Sequence, residues 1–306
     1  MRYLIALAAG VFATDLHRAV HLNDTDSVES LIKAGTPIDT TDKRLRTPLH
    51  LASALHDEAV IDTLLAAGAT IGARDDKGGT PLHIAAALGN LRAISALASA
   101  GAPLDAQDVM HMTPLHVAAI KGQQGAVQSL LSHGASVDAR DDTKSTPLHL
   151  AAMVGDLPVI QTLLAANASV WALEHMNHNA VHAALERGHS EAQQVLLSWM
   201  AKETSELTSW MDAVGLDEQE GRTLQTLRKI GIFRLSDIPS QQGLSDEELF
   251  RPLYQPVSWF HRWFGGHARR PCEPDCGAIL PAIHAALHHL PLPTPPADAD
   301  EPKQEL

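Results

Sequence analysis

An all-α helical solenoid followed by a small helical module is the fold that this 306-residue sequence predicts. Three features carry the prediction: a tetrapeptide that returns at one fixed interval, turn residues that return in step with it, and a change of composition near residue 200. Self-similarity at a period of roughly 20–50 residues marks stacked supersecondary units, none of which can bury its apolar face alone.

The tetrapeptide Thr-Pro-Leu-His begins at Thr47, Thr80, Thr113 and Thr146. One period further in each direction lies a degenerate copy, Thr14-Asp15-Leu16-His17 upstream and Asn179-Ala180-Val181-His182 downstream. Six units therefore occupy residues 14–200. The loop before each Thr position is counted with the unit it leads into, and each first helix opens as a helix opens. Thr offers an N-cap oxygen, Pro fills the first turn where its missing N–H is harmless, Leu points inward, and the His ring can reach back toward the cap. A turn of mostly small residues follows at Asn23, His56, Gly89, Gly122, Gly155 and Gly188. Apolar positions at helical spacing come next, such as Ile61 with Leu64 and Leu65, or Ile160 with Leu163 and Leu164. Gly35, Gly68, Gly101, Gly134 and Asn167 then supply the left-handed residue that ends the second helix.

These residues resemble the ankyrin repeat, whose signature and unit of about 33 residues they match over about two thirds of the chain. The resemblance implies an L-shaped stack of helix pairs with hairpin-like loops projecting to one side, and protein binding as the role. Two departures stand out. The glycine that the family carries two residues before the Thr is Gly78 in one loop only, with Leu45, His111, Lys144 and Asn177 in its place elsewhere. The sixth unit has Gln193 where the others carry Val or Ile, as expected of a terminal repeat. Six of the eighteen histidines (His17, His50, His83, His116, His149 and His182) occupy the signature position. Identical positions in a stack serve the stack rather than a metal.

In a solenoid the partner sits on the concave side, against loop tips and the exposed ends of the first helices. Seven and eight residues after each Thr position the chain offers Ala54 with Leu55, Ala87 with Leu88, Ile120 with Lys121, and Met153 with Val154. Leu22 precedes this strip, and Glu186 with Arg187 closes it. The loop tips add Val109 with Met110 and His175 with Met176, while Lys43 with Arg44 makes one end basic. A continuous exposed apolar strip marks an interaction surface, and methionine suits adaptable contacts. The expected partner-binding residues are thus Leu55, Leu88, Val109, Met110, Ile120, Lys121, Met153, Val154, His175 and Met176. The expected partner is another protein presenting an apolar helix or extended segment. Two other readings of the strip stay open: gap filling between adjacent repeats, and contact with the chain's own C-terminal module.

A formal net charge of -13 argues against nucleic acid as a partner, because phosphate backbones require a clustered basic surface. Residues 1–13 read as a cap on the first repeat or as a very short secretory signal ending at Val11-Phe12-Ala13. They are too short for the ~20 residues that span a bilayer. The expected location is the cytoplasm, with a secreted or periplasmic location as the alternative if 1–13 are a signal.

Eight of the twelve aromatic residues lie beyond Met200, so 201–290 reads as an aromatic-rich helical module. The runs Trp210-Met211-Asp212-Ala213-Val214-Gly215-Leu216 and Leu244-Ser245-Asp246-Glu247-Glu248-Leu249 are similar to a sterile-alpha-motif helical domain, without its closing helix; a helical cap on the sixth repeat is the alternative. Residues 251–272 hold arginines and aromatics but no acid, which fits an aromatic core under arginine stems better than a membrane surface. From Pro291 the chain reads as a disordered, Pro-rich acidic tail, 291–306.

Cys272, Cys276, His284 and His288 are ligand types that zinc accepts, but their central gap is shorter than the usual finger spacing, so free thiols are expected. No cofactor is expected, and the sequence has no Gly-rich phosphate loop, H-E-x-x-H or nucleophile elbow. The sequence is read as an interaction scaffold or adaptor and not as an enzyme. The alternative is an effector or small enzyme with its activity in 201–290 and the repeats as targeting module.

Overall fold

The computed structural model describes residues 15–55 and 58–213. Residues 1–13 with their cap-or-signal reading, Thr14, His56, most of the C-terminal module with its sterile-alpha-motif likeness, the Cys272, Cys276, His284 and His288 series, and the tail 291–306 lie outside the described residues. The described residues form helices and turns with no strand among them.

The first helices of the six units are α1 (Asp15–His21), α3 (Pro48–Ala52), α5 (Pro81–Leu88), α7 (Pro114–Ile120), α9 (Pro147–Val154) and α11 (Ala180–Glu186). The second helices are α2 (Thr25–Lys33), α4 (Glu58–Ala66), α6 (Leu91–Ser99), α8 (Gln124–Ser132), α10 (Leu157–Ala165) and α12 (Ser190–Ala213). Each first helix packs on the first helix of the next unit, and α2, α4, α6, α8 and α10 form a second layer in the same way. The chain divides into two compact units at Trp199 and Met200. Helix α12 runs from Ser190 to Ala213, past residue 200 where the repeats were expected to end.

The signature leucines Leu49, Leu82, Leu115 and Leu148 are buried, and so is Leu16 in the degenerate first copy. Alanine pairs such as Ala118 with Ala119 and Ala151 with Ala152 are fully buried and let neighbouring helices approach closely. The second layer contributes Val28, Ile61, Ile94, Val127 and Ile160, all without exposed surface. Burial of one such side chain stabilises by about 1.5–3 kcal/mol. Gln193, the sixth residue of that series, is half-exposed, as a unit with no successor in the series requires.

Capping is as local as the sequence suggests. Thr47, Thr80, Thr113 and Thr146 are N-caps with extended backbone, each forming a reciprocal capping box with the His three residues on. The second helices are capped by Asp24, Asn90 and Asp156, whose side chains accept the amides of Ser27, Ala93 and Val159. Each cap satisfies a backbone donor that the helix cannot.

A ladder of histidines ties unit to unit. In four units the Thr amide donates to the ring Nδ1, at 3.1 Å for His50, 3.0 Å for His83, and 3.2 Å for both His116 and His149. Nδ1 therefore carries no proton, and Nε2–H donates to a carbonyl of the next unit: Gly79 at 3.2 Å, Met112 at 3.0 Å, Ser145 at 3.1 Å and His178 at 3.2 Å. His17 reaches the Arg46 carbonyl in the same manner, at 2.9 Å. Burial holds all four rings from His50 to His149 below the usual histidine range, with the accepting carbonyls opposing that shift only in part. His182 departs from the pattern. Its ring is exposed and pairs with Asn179 Oδ1 of its own cap at 2.7 Å.

A second ladder runs between the loops. Asp39, Asp105 and Asp138 each accept the amide of a residue in the following unit, Thr70, Ser136 and Ser169 respectively. The missing rung is instructive: the acceptor position is Gly72 and the donor position is Pro103, which has no N–H. Where no amide can donate, no carboxylate stands, and a side chain on Gly72 would meet the Pro103 ring at 3.7 Å.

Candidate partner-binding surface

Each loop tip is a short turn closed by its first residue. Asp42, Asp75, Asp108 and Asp141 accept two amides apiece through Oδ1, those of Arg44 and Arg46, Lys77 and Gly79, Met110 and Met112, and Thr143 and Ser145. The fourth residue of every tip lies in the left-handed region: Leu45 at φ 56°, Gly78 at 72°, His111 at 56°, Lys144 at 62° and Asn177 at 59°. Replacement of glycine thus leaves the turn intact at a cost of about 1–2 kcal/mol per residue.

Consecutive tips are joined through their backbones. Asp76 N–H donates to the Arg44 carbonyl at 2.9 Å, Val109 to Lys77 at 3.0 Å, Asp142 to Met110 at 3.2 Å and His175 to Thr143 at 3.0 Å. These bonds hold the left-handed residues in register and make the tips one continuous edge. Side chains reinforce it: Arg74 donates to the Gln107 carbonyl, Gln107 to that of Arg140 at 3.3 Å, and Arg140 to that of Leu173 at 2.8 Å.

The ten residues expected to meet a partner are all exposed or half-exposed. The tips present Val109 at 68% exposure, Met110 at 51% and Met176 at 73%. The first helices end on Leu88 at 51% and Val154 at 43%. Lys121 and His175 are exposed, and the His175 Nε2 lies 3.0 Å from the Asp142 carbonyl. Leu55, Ile120 and Met153 are half-buried, so the strip divides into an outer line and an inner line. Ala54 and Ala87 share the inner register with Ile120 and Met153 and are half-buried like them, while in the outer register Leu88, Lys121 and Val154 are exposed and Leu55 is half-buried.

Sequence reasoning passed over Leu45, which is exposed on the first complete tip. It read Lys43 with Arg44 as a basic end but passed over the acids beside them. Asp42 is tied to Arg46 at 2.7 Å, and burial of its carboxyl is outweighed by hydrogen bonds from the Arg46 side chain and the amides of Arg46 and Arg44, which hold it below the usual carboxylate range. Since Asp75, Asp108 and Asp141 are likewise engaged in closing turns, the exposed Lys43, Arg44, Lys77 and Lys144 stand on the edge without an ion pair among the described residues. In the sixth unit the His178 ring stacks on His182 at 5.2 Å, with its Nδ1 3.1 Å from Glu186 and 3.8 Å from Glu174. Among the described residues no group of three His, Cys, Asp or Glu side chains is arranged to hold a metal ion.

A stack of capped helix pairs, joined by the signature histidines of the first five units and presenting a continuous loop edge, defines a helical repeat protein. The family model for ankyrin repeats in three copies matches residues 16–108 and again 59–141, and that for a single ankyrin repeat matches 143–174. The chain belongs to the ankyrin repeat family, whose repeats bind other proteins. No curated protein matches the sequence. No helix among the described residues is long and apolar enough to cross a membrane.

Proposed function

We propose that this protein is an adaptor that holds an apolar segment of another protein, helical or extended, against its loop tips and the ends of its first helices. The observation that carries the reading is the outer line: Leu88 and Val154 on the helix ends, with Val109, Met110 and Met176 on the tips, are large apolar side chains in solvent on a rigid edge. Rigidity matters because an ordered edge loses little conformational freedom when a segment docks. The half-buried Ile120 and Met153 form the floor beneath that line.

The test is affinity capture with the full chain and with a variant carrying Leu88→Glu, Val154→Glu and Met176→Glu. Captured proteins should fall about tenfold or more, while the melting temperature stays within a few degrees, because exposed positions tolerate charge. Unchanged capture would place the binding face elsewhere. A large loss of melting temperature would mean that these side chains are packing groups.

A further inference from the structure

We propose that the segment bound on this edge is a peptide that is acidic where it crosses the second and third units and apolar where it crosses the fourth to sixth, an inference that rests on the docking reading above. The tips of the second and third units present Lys43, Arg44 and Lys77 in solvent without an ion pair among the described residues, against one exposed acid on those tips, Asp76. Arg46 is excluded from that count because Asp42 neutralises it. On the tips of the later units the exposed Lys144 is offset by the exposed Asp142, and the dominant groups are Val109, Met110 and Met176. The edge is therefore cationic at one end and apolar at the other.

The remaining charge sharpens the contrast. The second helices of the first three units carry Asp26, Glu29, Glu58 and Asp62 in solvent against Lys33 and Arg92, so an acidic ligand is repelled from that layer and drawn to the tips. Stacked helices lie about 8–10 Å apart, so five tips span about 40 Å, which an extended chain of about 12 residues covers.

A random library of peptides long enough to cross all five tips, selected on the full chain and on a Lys43→Glu, Arg44→Glu, Lys77→Glu variant, tests the assignment. The native chain should enrich peptides with an Asp/Glu cluster N- or C-terminal to an apolar cluster. An enriched acidic peptide should bind the variant about tenfold or more weakly in about 50 mM salt, a difference that shrinks in about 300 mM salt. The three substituted side chains stand in solvent, and circular dichroism checks that the variant is folded. Apolar peptides without acidic bias, or the same acidic bias on both proteins, would overturn the charge assignment and leave the docking reading standing. Failure to enrich any peptide would overturn both. Enrichment of no acidic peptide, together with binding of the native chain but not the variant to vesicles of phosphatidylcholine and phosphatidylserine mixed about four to one, would assign the cations to a lipid surface instead.

Discussion

The fourth and sixth units share a plan and differ in how it is completed. In the fourth, His116 is buried, accepts the Thr113 amide and donates across 3.1 Å to the carbonyl of Ser145 in the next unit. In the sixth, His182 is exposed and turns back to its own cap, and Gln193 replaces the buried apolar residue of the second helix. The difference teaches that the signature histidine has two separable jobs. One caps its own helix and is purely local; the other joins repeats and exists only where a successor presents a carbonyl.

Substitutions in the two units measure that difference. Leu115→Ala removes a fully buried side chain and should destabilise by about 3 kcal/mol in a denaturant titration, whereas Leu185→Ala, at an exposed position in the sixth unit, should change stability by less than about 0.5 kcal/mol. Equal losses would mean that the sixth unit is packed like the rest. His116→Ala should cost about 2 kcal/mol, since it removes one cap partner and the bond between units, leaving the buried Ser145 carbonyl with the Asp141 amide alone. His182→Ala should cost well under about 1 kcal/mol. A comparable effect at both positions would erase the distinction between joining and capping.

Acid should act on the inner units in the same direction. Because burial keeps His50, His83, His116 and His149 below the ordinary value of 6.5, the unfolded chain takes up protons that the folded chain refuses. Their contribution is intact above pH about 6.5 and is lost as pH falls toward the lowered folded values. Protonation would also set an Nδ1–H against the Thr amide that donates to it. The melting temperature should therefore decline from about pH 7.5 to about pH 5.5, and His116→Gln should make the decline shallower. A flat profile would show that the folded chain takes up protons on these rings as readily as the unfolded chain does.

The smallest effect compares two tips. Lys144→Gly should stabilise by about 0.5–1 kcal/mol by relieving a side chain at φ 62°, whereas Gly78→Ala should destabilise, because its Cβ would lie 3.1 Å from the Val109 amide nitrogen as well as at positive φ. Thermal melts of the two variants decide it, and shifts of the same sign would show that tip geometry does not depend on glycine chemistry.

Much of this was legible in the sequence because it is local. The repeat period, the Thr caps, the Gly and Asn stops and the buried leucines follow from short-range sterics and helical spacing, which a linear pattern records. The loop tips were harder to read. Leu45, His111 and Lys144 give no sign of a left-handed backbone, and their conformation is imposed by the aspartate that opens each tip and by backbone bonds to the neighbouring tip. The apolar strip was legible as a register but not as a depth.

The sequence by itself determined that this is a stack of six helix pairs, where each of the first five starts and stops, and which side chains face its core, but not that the last helix runs on to Ala213. Only the tertiary structure decided that Leu88, Val154, Val109 and Met176 stand in solvent while Ile120 and Met153 sink partly between helices. It also decided that the tip aspartates are engaged while Lys43, Arg44 and Lys77 remain unpaired among the described residues. The reason is physical: local conformation depends on neighbours along the chain, but exposure and charge pairing depend on what the adjacent repeat, a full period away, brings to the same place.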